Sequence, residues 1–193
     1  MNAKTEKKKE ILIRSFETLK DGCRNSKDTR DKVEECVGNM FKMDVDMATE
    51  MWIYLLEQYS DMLSSNEGWG LIGWIYWIAG DNIGEAAINN IVLKNAPIKR
   101  AIFELQNGAL GRSAGCIIRS EIEKGNILLA DELINLLFDN QYKEETWYEV
   151  MDLAIPWSAP ISDEAVEMLE SWFEKVEDKE ERAKLDIRLA EIL

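Results

Sequence analysis

Carboxylates and thiols are the reactive side chains this sequence offers. Histidine, the commonest general base and zinc ligand, is absent from all 193 residues. Asp163, Glu167, Glu170, Glu174 and Glu177 recur at three- and four-residue spacing, which lines them along one helix face. Acid–base catalysis needs two carboxylates in contrasting environments inside a pocket. A solvated ridge supplies neither burial nor asymmetry, so it reads as a recognition surface, with Glu167, Glu170 and Glu174 as the protein-binding residues. No loop has EF-hand spacing, and no metal site is expected. Cys23, Cys36 and Cys116 lack C-x-x-C spacing. Cys116, in "AGCIIRS", reads as a small buried apolar residue. Without histidine no Ser-His-Asp or Cys-His arrangement can form, and no Walker A loop or G-x-G-x-x-G fingerprint occurs. The chain is read as non-enzymatic and as needing no cofactor.

One stretch suits a small anion. In "NGALGRSAG", Asn107 to Gly115, Gly108 and Gly111 free the backbone. Arg112 and Ser113 then stand where a helix is predicted to begin, and exposed N–H groups there attract anions. Lys99, Arg100 and Arg119 share this basic zone. The alternative is a plain succession of helix C-cap, turn and N-cap.

Charge bounds the partner. Lys and Arg total 23 against 37 Asp and Glu, a net charge of −14. Affinity for nucleic acid comes from neutralising phosphates, so this balance opposes it. It suits a basic protein partner instead. The charge is zoned: residues 33–93 carry net −9 and residues 120–193 net −13, whereas residues 1–32 and 94–119 each carry net +4. The N-terminus "MNAKTEKKKEILIRSF" reaches no long apolar run, so no signal peptide is read, and a reducing cytoplasm is expected.

The elements that must position these groups are helices. Pro97, Pro156 and Pro160 are the only prolines, which leaves room for many helices. "DVDMATEMWIYLLEQYSDML" is strongly amphipathic, and "ILLADELINLLFDNQ" and "DEAVEMLESWFEKVED" follow the same period. Asp28, Ser162 and the pairs Ser64–Glu67, Asn82–Glu85 and Thr146–Glu149 read as N-terminal caps, and Gly22, Gly80, Gly108, Gly111 and Gly125 as stops. No period-2 run survives. The expectation is an all-α chain of about ten helices, with residues 1–9 a charged tail and 10–193 a single domain.

"WGLIGWIYWIAGD", Trp69 to Asp81, is too short to span a bilayer and has no charged face for a membrane surface. A helix apolar all round is normally enclosed by protein. Trp74 and Trp77 are therefore expected in the core, each contributing about 3–5 kcal/mol, with an aromatic binding groove as the alternative.

Comparable segments open near Ile11, Met47, Ile83, Ile127 and Ile161, about 40 residues apart, the scale of a two-helix repeat. "MATEMWIYLLEQY" and "LLADELINLLFDN" align best. In this the chain resembles HEAT and armadillo-type repeat proteins, which implies a short superhelix of stacked helix pairs; an irregular helical bundle is the alternative. In size, charge and lack of catalytic residues it also looks like small acidic bacterial or phage helical inhibitors, immunity proteins among them. The functional expectation is a non-enzymatic module that binds a basic protein through an acidic helical surface. Two other readings stay open. One is a HEAT-like DNA-glycosylase-type enzyme using Trp74, Trp77 and Asp81; the other is a self-assembling structural protein packing through the final "LAEIL".

Overall fold

The computed structural model describes residues 3–60, 73–104, 108–139, 144–158 and 160–193. The described residues form eleven α-helices and no strand. They are α1 (Ala3–Asn25), α2 (Lys27–Met40), α3 (Val45–Gln58), α4 (Gly73–Ile83), α5 (Glu85–Lys94), α6 (Ala96–Phe103), α7 (Gly108–Glu123), α8 (Ile127–Asp139), α9 (Glu144–Ala154), α10 (Asp163–Phe173) and α11 (Lys179–Ala190). Contacts divide the chain into two compact units, Met1–Lys99 and Arg100–Leu193, where the sequence suggested one domain over 10–193. None of the described helices is long and apolar enough to cross a membrane.

In the first unit α2 is central, packing on α1, α3 and α4, and α4 packs on α5. Its core draws Val33 and Val37 from α2, Met51, Trp52 and Leu55 from α3, and Ile75, Tyr76 and Ala79 from α4, all buried. Phe41 meets Trp52 edge to face at 6.0 Å, the geometry the ring quadrupoles prefer. Gly38 marks the closest approach. A Cβ built there would lie 2.6 Å from Cβ of Ile78, so α4 seats where α2 has no side chain. The charged N-terminal stretch is helical from Ala3 on, and the Lys9 ammonium bonds the Glu50 carboxylate on α3.

Caps and stops fall partly where the sequence placed them. Ser162 caps α10, its hydroxyl accepting from the Ala165 amide at 3.3 Å. Gly125, at φ 77°, ends α7. Ser26, not Asp28, caps α2; Asp28 sits in its first turn and pairs with Lys32 at 2.6 Å. Gly22 is carried inside α1. Gly80 does not stop α4, because the Asn82 side chain donates to the Gly38 carbonyl at 3.0 Å instead of capping a new helix. The break moves to Gly84, whose φ of 90° suits glycine alone among common residues. The Ser64–Glu67 pair and residues Trp69 to Ile72 lie outside the described residues.

The second unit packs α7 on α8 and α9, α9 on α11, and α10 on α8 and α11. Ile117, Ile118, Leu133, Ile134, Leu137, Val150, Met151, Leu169 and Phe173 are fully enclosed. Gly115 repeats the role of Gly38. A Cβ there would lie 2.7 Å from both the Val150 carbonyl oxygen and Cβ of Leu153.

The tryptophan-rich helix departs from expectation. Trp74 is 39% exposed and Trp77 half-buried. The enclosed arc of α4 is Ile75, Tyr76 and Ala79, and the Tyr76 hydroxyl donates to Asn89 Oδ1 at 2.7 Å. A helix with no polar face still has only one side turned to its neighbours, so an indole is left at the surface. Trp74→Ala is therefore expected to cost about 1–2 kcal/mol, less than the roughly 3–5 kcal/mol of an enclosed indole, as read from urea denaturation midpoints.

Candidate functional site

The acidic ridge is built on α10. Its buried stripe, Ala165, Met168, Leu169, Trp172 and Phe173, anchors the helix in the second unit. The 3.6-residue period then turns Asp163, Glu167 and Glu170 outward. All three are exposed, as are Glu174 at the C-cap and Glu177 beyond it. Among the described residues, Glu174 has an ion-pair partner, Arg182 at 3.8 Å, while Glu167 and Glu170 have none. Arg182 reaches back to Glu174, while Asp178, four residues before it, is occupied as the cap of α11. Its carboxylate accepts from the amides of Glu180 and Glu181 at 2.8 and 3.0 Å, and those bonds hold its pKa below the usual range. Glu180 pairs with Lys184 one turn on, at 3.0 Å.

Behind this ridge lies an aromatic cluster that the sequence did not single out. Trp147, Trp172 and Phe138 meet edge to face at 5.5–6.0 Å. Lys175 places its ammonium 3.4 Å from the Trp172 ring centroid. The Trp172 indole N–H donates to Asp131 at 2.7 Å, which ties α10 to α8. No local signal in the sequence pairs α8 with α10, because periodicity fixes which face of a helix turns inward and not which helix it meets.

The anion reading placed Arg112 and Ser113 at the start of a helix, and the helix starts earlier. α7 begins at Gly108 and runs through Gly111, so Arg112 and Ser113 lie inside the helix and not at its start. Ser113 is fully buried. Arg112 faces Glu149 of α9 at 3.4 Å, and Arg100 faces Glu104 at 3.3 Å. Gly111 does not break the helix, because the close packing of α7 on α9 at Gly115 holds the segment helical at a propensity cost of about 1 kcal/mol per glycine. Arg119 is buried, with its guanidinium 3.8 Å from the ring centroid of the exposed Trp157.

The cysteines are thiols; Cys23 and Cys116 are buried and Cys36 is exposed. Burial pushes the Cys23 thiol above its ordinary value. Among the described residues no three acidic or cysteine side chains converge as metal ligands do. Comparison with protein-family models, with curated proteins and with solved structures finds no match to this chain.

Proposed function

We propose that this chain is a non-enzymatic protein-binding module, of the helix-pair repeat type, whose acidic surface engages a basic protein partner. The observation that supports the reading is the α10 face: Glu167 and Glu170 stand exposed on a helix rigidly anchored by five buried side chains. The surrounding unit reinforces the sign. Residues 100–193 hold 10 basic and 21 acidic side chains, net −11, whereas residues 1–99 hold 13 and 16, net −3. A field of that sign raises the association rate of a cationic partner and fades with salt over a Debye length of about 8–10 Å. Carboxylates borne at helical spacing on one face add register to that attraction.

The test is a triple reversal, E167K/E170K/E174K, against a control, D21K/E57K/D81K, that removes the same charge from exposed positions elsewhere. Affinity capture from the native cell, at two salt concentrations, is expected to lose its basic partner with the first variant and retain it with the second. Equal capture by both would remove the α10 face from the account.

A further inference from the structure

The α10 ridge leaves unused a groove in the first unit. Beside the Gly38–Ile78 contact, α2 and α4 border a cavity of about 560 Å³, within the range of sites that hold ligands. Its α2 wall is Lys27, Asp31, Glu35 and Asn39, one polar residue per turn along roughly 18 Å of helix. Its α4 wall is Trp74 and Ile78, also one turn apart. Asp31 and Glu35 are exposed, and among the described residues neither is ion-paired. One wall therefore presents two carboxylates that form no ion pair among the described residues, with Lys27 a turn before them, and the other an indole beside an aliphatic chain.

Lysine and arginine side chains have this same division, an apolar stem with a charged head. Indole is the strongest cation–π acceptor among side chains. Lys27, at one end of the stripe, repels a second cation and so directs the incoming charge to Asp31 and Glu35. An acidic segment, or a neutral one, would leave both carboxylates facing it without compensation. We propose that this groove docks a short segment of a basic protein, an Arg or Lys head lying between Asp31 and Glu35 and its stem and apolar neighbours against Trp74 and Ile78. The inference rests on the reading of the chain as a binder of basic protein, but it uses different residues in the other unit.

The probe is a capped helical peptide of about twelve residues, with leucine along one face flanked by arginine, titrated calorimetrically into the full chain. Its counterpart carries glutamate in place of arginine. The arginine peptide is expected to bind and the glutamate peptide to fail. D31N/E35Q and W74A should each weaken binding about tenfold, whereas W74F, which keeps a ring, loses less, and D21N/E57Q, which removes the same charge from exposed positions elsewhere in the first unit, leaves it within about twofold. Thermal melts confirm that each variant is folded. Binding of the arginine peptide unchanged in D31N/E35Q and W74A, or equal binding of the glutamate peptide, overturns the groove and leaves the α10 reading standing. Conversely, partner capture that survives the α10 reversal sinks the ridge, while peptide loss confined to the groove variants still upholds the groove.

Discussion

Glu34→Gln is expected to make the protein more stable at pH 7 and to flatten the dependence of its stability on pH. Glu34 is 2% exposed within the core side of α2, and among the described residues its Oε1 has no hydrogen-bond partner. Burial, with the nearby Asp31 carboxylate, pushes its pKa from 4.5 up to about 9, and Arg30 offsets only part of this. The native state therefore holds this proton at neutral pH. In the unfolded chain the group ionises near 4.5. Between those two values the unfolded state sheds a proton that the native state keeps, so stability is fully present below 4.5 and falls as pH rises toward 9. Each pH unit is about 1.4 kcal/mol, giving about 3 kcal/mol by pH 7. Glutamine keeps the shape and removes the titration. Urea midpoints at pH 5 and pH 8 should diverge in the parent and converge in the variant; parallel midpoints would show that Glu34 ionises normally.

The second large effect is at Gly115. An alanine methyl there would meet the Val150 carbonyl oxygen and Cβ of Leu153, each at 2.7 Å. Neither is the far end of a flexible side chain, so α7 and α9 must separate. Overpacking of this kind costs about 1–3 kcal/mol, and part of it is offset by the better helix propensity of alanine, about 1 kcal/mol. Gly115→Val carries the same clash with two more carbons and no such compensation, and a loss of about 3 kcal/mol is expected. Gly80 provides the contrast. A Cβ there meets only Cγ2 of Ile88 at 3.7 Å, an ordinary contact, so Gly80→Ala should stabilise by about 0.5–1 kcal/mol. Denaturant titration of the three variants decides it: equal midpoints at positions 80 and 115 would mean that the α7–α9 contact is not close.

These glycines show where sequence reading stops. The apolar stripes of α3, α8 and α10 are legible because a 3.6-residue period fixes which face turns inward, and Leu55, Leu133 and Leu169 are indeed fully enclosed. The Ser162 cap and the Gly125 stop are legible because their chemistry is local. Gly80 and Gly111 read in sequence as helix ends, yet they lie inside helices just as Gly38 and Gly115 do. What separates them is the helix lying opposite, which no local window contains. Trp74 fails for a related reason: periodicity gives α4 an apolar circumference but not how much of it α2 and α5 cover. Glu34 could not have been distinguished from its neighbours Asp31 and Glu35 by type, only by its angle on α2 relative to a core not yet known. Of the candidate sites, the α10 ridge is visible as spacing, the helix start at Arg112–Ser113 is not where α7 begins, four residues before Arg112, and the groove beside Trp74 needs two helices brought together.

The distribution of sulfur gives the molecule a pair of internal clocks. Cys23 is fully enclosed in the first unit and Cys116 is 4% exposed in the second, while Cys36 sits in the open. A thiol reagent will mark Cys36 first and then wait on opening fluctuations to reach the other two. Mass spectrometry of the modified peptides would thus time the breathing of each unit separately, in the unaltered protein and in a single experiment.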